Sequence, residues 1–172
     1  MRTIPLQLSN DSIRDAISEI NDYKNEIMEK LNDYVDALVK EGKATAEERV
    51  SSAQGDSVNV SVDAFVQESD KNSVLESIDL IGEDCVFIEF GAGIHYNNGN
   101  GHPLAGQFGF GVGTYPSEHP PNRAINPGYW YYKGDDGNLH LSLGTEATMP
   151  LYSAGETMRE KAAEKASEVF KL

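Results

Sequence analysis

Between Ile13 and Leu38 apolar residues recur in steps of four and three: Ile13, Ile17, Ile20, Ile27, Leu31, Tyr34 and Leu38, with Lys24 the only interruption. A strand cannot use that spacing, because its side chains alternate faces at every residue. An α-helix brings every third and fourth residue to one side. The first forty residues are therefore expected to form one long helix carrying a heptad seam of about four repeats. Asn10 or Ser12 can cap its start, and Asp11 and Asp15 sit where the positive end of the helix dipole favours acids. Gly42 is expected to end it, with a short second helix from Thr45 to Ala53. About 28 residues at a rise of 1.5 Å give a rod of about 40 Å. Full burial of the seam would contribute about 10–20 kcal/mol as an upper bound. Its face can lie on the chain's own sheet or be shared with a neighbouring subunit.

After Ser57 the period changes to two. Val58, Val60 and Val62 alternate with polar residues, and Phe65 and Val66 follow. Polar turns at residues 68–72 and 82–84 set off two further strand-like runs, Val74–Leu80 and Cys85–Phe90. Consecutive strands on short turns imply an antiparallel meander. A hairpin is expected where Asp135-Asp136-Gly137-Asn138 separates Tyr129–Tyr132 from Leu139–Leu143. A last helix is expected from Ser153 or Gly155 to Phe170, burying Met158, Ala162, Ala166 and Val169 or Phe170. The expected fold is a single α+β domain: an antiparallel sheet of about five strands packed with a long N-terminal helix and a C-terminal helix. Its parts are a helical region 1–56, a meander 57–90, an arm 91–128, a hairpin 129–144 and a helix 153–170.

The arm differs in kind. Residues 91–128 hold nine of the 16 glycines and five of the seven prolines, punctuated by Tyr96, Phe108, Phe110 and Tyr115. A stretch this long without regular structure is usually functional or disordered. Linkers rarely carry so many aromatics, which are costly to leave in water. It reads as a segment that orders on a partner, with Phe108, Phe110, Tyr115 and Trp130 as anchors and Ile17, Ile20, Ile27 and Leu31 as the helical contact.

Composition narrows the function. The 28 acids against 14 bases leave a formal charge of −14. No basic cluster exists to neutralise a phosphate backbone, which argues against sequence-specific DNA binding. No run approaches the roughly 20 apolar residues of a membrane span, so no membrane is expected. Cys85 is the only cysteine, and with no secretory signal in the sequence the expected setting is a reducing cytoplasm. Three of the four histidines, His95, His102 and His119, lie in the arm, and none has the helical spacing of a zinc protease; His140 is the fourth. The glycine-rich run 106–113 lacks the lysine and hydroxyl residue of a P-loop. No catalytic residue, metal site or cofactor is assigned.

Ile88-Glu89-Phe90-Gly91-Ala92-Gly93 closes a strand-like run, and after the variable arm comes Gly144-Thr145-Glu146-Ala147-Thr148-Met149-Pro150-Leu151-Tyr152-Ser153-Ala154 before a charged helix. This pattern resembles the tail-completion or head–tail joining (neck) proteins of long-tailed bacteriophages, through Glu89, Phe90, Gly91, Gly93, Met149, Pro150 and Ala154. The resemblance implies a non-enzymatic virion protein made in the host cytoplasm. Its copies would form a homo-oligomeric ring between the portal or adaptor and the tail terminator or tail tube, with DNA passing the lumen unbound. A tail terminator ring is an alternative. So are a carbohydrate-binding module using Trp130, Tyr131 and Tyr132, and a metal-dependent hydrolase using His95 and His102.

Overall fold

The structure is a computed structural model that describes residues 3–5, 7–53, 59–69, 73–91, 102–108, 130–134, 136–142 and 145–171. Helix α1 spans Asn10–Ser51, 42 residues, or about 63 Å at 1.5 Å per residue. Its cap is Ser9, one residue before Asn10 and three before Ser12: the Ser9 hydroxyl accepts from the Ser12 amide at 3.3 Å and Asp11 occupies the first turn. Gly42 does not end the helix. It is buried, and a Cβ there would lie 2.7 Å from Ile78 Cδ1 and 3.0 Å from Met158 Cγ. A mid-helix glycine costs about 1 kcal/mol against alanine. Here that cost is offset by the close approach it allows, and the expected second helix is simply the last two turns of α1.

Strands β1, Val60–Ser69, and β2, Val74–Gly82, pair antiparallel with Val60 opposite Gly82 and Ala64 opposite Ile78. The ladder shifts register between Val66 and Glu68. The expected third strand is a helix instead: α2, Cys85–Phe90, whose first amides, of Phe87 and Ile88, donate to the Asp84 carbonyl at 3.0 Å each. The reason lies in Ile88 and Glu89. These neighbours are both buried, whereas a strand would aim them at opposite faces. Cys85 accordingly opens a helix, half-buried, with Sγ 3.0 Å from the Gly82 carbonyl. Burial pushes its thiol pKa up.

The later hairpin forms as expected, from β3, Trp130–Lys133, and β4, Leu139–Ser142. It does not extend the first sheet. Among the described residues there are two separate two-stranded sheets, and no sheet of five strands.

Helix α3 spans Pro150–Phe170, starting earlier than expected because proline at the first helical position has no amide to leave orphaned. It runs antiparallel along the second half of α1. The Phe170 and Tyr34 rings are 6.2 Å apart, Lys165 Nζ lies 3.0 Å from Glu41, and the Thr45 and Thr157 hydroxyls are 3.1 Å apart. Most buried positions gather where α1, α2 and α3 meet the first sheet: Val39, Gly42 and Ala46, then Ile88, then Ala147, Pro150 and Ala154; Ala16, on the first half of α1, is buried apart from them. Small residues dominate this core, so backbones approach closely. The first half of α1 extends beyond the end of α3. Among the described residues no helix is long and apolar enough to cross a membrane.

Candidate functional site

Helix α3 opens without a capping side chain of its own. Met149 stands at its N-cap in a left-handed conformation, φ 54° and ψ 52°, and makes no side-chain cap bond. The first amides of a helix must still find acceptors. Glu89 supplies them from α2, 62 residues earlier in the chain: Oε2 accepts from the Leu151 amide at 2.8 Å and Oε1 from the Tyr152 amide at 2.9 Å. One residue before it, the Ile88 carbonyl accepts from Thr148 at 2.8 Å and Met149 at 3.2 Å. These bonds hold Met149 in a conformation that costs a non-glycine residue about 1–2 kcal/mol. A carboxylate at the positive end of the helix also complements its dipole.

Glu89 is 6% exposed, and the third group on it is His102, 7% exposed, whose Nε2 lies 3.1 Å from Oε1. The Leu104 amide donates to Nδ1 at 3.0 Å, so Nδ1 is an acceptor and Nε2 carries the proton that goes to Glu89. Both ring nitrogens are therefore engaged within the protein. The ring also lies against Phe90, centroids 4.7 Å apart, and edge-on to Tyr152 at 5.0 Å. Phe90 in turn meets Phe108 at 5.6 Å. Gly91 ends α2 with φ 77°, its amide donating to Phe87 O at 2.8 Å.

Beside this clasp runs an open groove of about 690 Å³ between β2, α2, α3 and the loop; Ile81, Val86, Phe90, Leu104, Phe108 and Leu151 give it an apolar lining. Arg159, paired with Glu156 at 2.6 Å, stands at its rim. Phe108 sits on a short 3-10 turn, Ala105–Phe108, and is 60% exposed.

The motif residues Glu89, Phe90, Gly91, Met149, Pro150 and Ala154 thus meet in one place, although α2 and not a strand end carries the first three. Ile17, Ile20 and Ile27 lie far from them on the projecting half of α1, exposed by 54%, 55% and 39%, while Leu31 is half-buried. Gly93, Phe110 and Tyr115 lie outside the described residues, as do His95, His119 and the Trp130 side chain. His140 is on β4 with Nε2 3.0 Å from Asp136 Oδ1, well separated in sequence from His102. Among the described residues no group of three His, Cys, Asp or Glu side chains could hold a metal ion.

Sequence reasoning missed the partnership of Glu89 with His102 and Tyr152. No local signal shows it: Thr148 and Ser153 both offer ordinary caps beside Pro150, and the acceptor actually used belongs to another element. Comparison with known protein families, curated proteins and solved structures returns no match.

Proposed function

We propose that this chain is a structural subunit that acts by being held in an assembly, and that the assembly is the neck of a tailed bacteriophage. In this reading it is a tail-completion or head–tail joining protein and not an enzyme. Its copies ring the DNA passage between the portal or adaptor and the tail terminator or tail tube, and it resides in the virion. The observation that carries the reading is the projecting half of α1, which presents Ile13, Ile17, Ile20 and Ile27 to water. A monomer gains nothing from such a stripe, whereas an assembling subunit needs one.

Two further features support it. The segments that carry the resemblance, Glu89-Phe90-Gly91 and Met149-Pro150, form one interlocked unit through the Glu89 cap, so their joint presence in the sequence has a single structural cause. The formal charge of −14 suits a wall past which DNA slides without sticking. The arm and the α1 stripe would make the contacts to neighbouring proteins.

The test is electron microscopy of lysates from a phage deleted for this gene. DNA-filled heads beside separate, finished tails are expected, with joining restored by adding the purified protein. Normally joined particles would overturn the assignment.

A further inference from the structure

Among the described residues, α3 covers the heptad seam of α1 over only part of its length. From Tyr34 onward α3 lies along it, contacting Tyr34, Glu41 and Thr45, which continue the four-and-three spacing of Ile27 and Leu31. Before Tyr34 the same seam holds Ile13, Ile17, Ile20 and Ile27, between 39% and 55% exposed. Charge is sorted around it. With Ile17, Lys24 and Leu31 at a positions and Ile13, Ile20 and Ile27 at d, the flanking e and g positions carry Arg14, Ala16, Asn21, Tyr23, Met28 and Lys30. All seven acids from Asp11 to Asp33 fall on the outer b, c and f positions. A chain of net charge −14 thus keeps every acid in this span off one face.

We infer that this face pairs with a second copy of itself, as an antiparallel helix pair of the free protein. Antiparallel a-to-d layering sets the register. Ile13 meets Leu31 of the partner subunit, Ile17 meets Ile27 of the partner subunit, and Ile20 meets Lys24 of the partner subunit, with the same three layers in reverse. On the flanks Tyr23 meets the partner's Tyr23 and Asn21 meets the partner's Asn21. Arg14 faces the partner's Met28. No cation faces a cation and no acid enters the seam. A parallel pair fails on this point, because it stacks Lys24 on the partner's Lys24 within an apolar layer.

The ends fit as well. This register brings the partner's Asn10, where its α1 begins, level with Tyr34, where α3 ends at Phe170. The partner's α1 therefore continues the line of α3 along the same face without overlap. The pair is closed by a two-fold axis and cannot by itself propagate a ring. It describes the unassembled chain and does not rest on the neck reading; joining a ring would exchange the partner's helix for a neighbouring protein.

The test uses the full chain with Cys85→Ser, which removes the only native thiol. Sedimentation equilibrium should show a dimer, and Ile17→Asn with Ile20→Asn should make it monomeric with unchanged helix content. Single variants Ile17→Cys and Ile27→Cys should each fail to form covalent dimers on oxidation, since each residue lies about 15 Å along the axis from its own copy, beyond the roughly 7 Å reach of a disulfide. Their mixture should cross-link efficiently. A protein monomeric at every concentration, a dimer indifferent to the double asparagine change, or cross-linking by each single variant alone would overturn the inference.

Discussion

Replacing Glu89 tests whether α3 depends on its remote cap. In Glu89→Ala the Leu151 and Tyr152 amides, now 2.8 and 2.9 Å from carboxylate oxygens, lose their acceptor, and so does His102 Nε2 at 3.1 Å. Each part-buried donor left without a partner costs about 1–3 kcal/mol. The lost charge at the helix N-terminus adds up to about 2 kcal/mol in a buried setting. Water entering the vacated space returns some of this, leaving about 3–6 kcal/mol. A domain of this size is stable by about 5–15 kcal/mol, so the variant should be marginal. Glu89→Gln keeps the shape and one acceptor oxygen and should lose about 1–3 kcal/mol. Urea unfolding followed by circular dichroism measures both, and the Ala loss should exceed the Gln loss. Hydrogen exchange adds a local readout: the Leu151 and Tyr152 amides should exchange faster in Glu89→Gln than the mid-helix amides of α3. An alanine variant within about 1 kcal/mol of wild type would refute the clasp as a source of stability.

Asp136 has its pKa lowered to about 2, first by the His140 hydrogen bond and then by the Asn138 amide. Its folded value lies below the unfolded value of about 3.9, so its contribution to the hairpin is present above that value and is lost as pH falls through about 2. His140→Ala should move the Asp136 titration up toward the ordinary range in a carboxyl-detected NMR experiment. Thr148 Oγ1 is buried with no hydrogen-bond partner among the described residues, so Thr148→Val should be neutral or stabilising by about 1–2 kcal/mol in urea unfolding. Gly42→Leu forces a side chain between Ile78 and Met158 and should destabilise by at least about 1–3 kcal/mol, seen as a lower melting temperature. Lys24→Leu replaces the polar member of two seam layers and should tighten the α1 pair at least about tenfold, or about 1.4 kcal/mol, by sedimentation equilibrium.

The elements with strong periodicity were legible. The stripe from Ile13 to Leu38 gave the long helix, and the Asp-Gly turn gave the β3–β4 hairpin. Two signals misled for physical reasons. Gly42 has the residue type of a helix stop, but its missing side chain serves packing against Ile78 and Met158, which lie far away in sequence. Cys85–Phe90 is rich in residues common in strands, but Ile88 and Glu89 are both needed inside, and only a helical turn serves both. The site was legible as a set of letters, Glu89-Phe90-Gly91 and Met149-Pro150, and its geometry was not. A carboxylate capping a helix 62 residues away leaves no trace in local spacing, and His102, a metal candidate by residue type alone, has its two nitrogens on Glu89 and Leu104.

The packing of α3 on α1 ties together parts of the chain that are synthesised far apart, as the Thr45–Thr157 contact across 112 positions illustrates. Contacts of such long separation close only after most of the loop-closure entropy has been spent, which makes folding slow and late. A growing chain therefore shows its whole α1 seam, and the backbone oxygen of Ile88 and the carboxylate of Glu89, before the amides they bind have been made. The last helix acts as a latch: a polypeptide interrupted before Pro150 lacks the Leu151 and Tyr152 amides that Glu89 awaits and the cover over Tyr34 to Thr45. Such a fragment is open to proteolysis, so the same contact that completes the core also separates finished chains from unfinished ones.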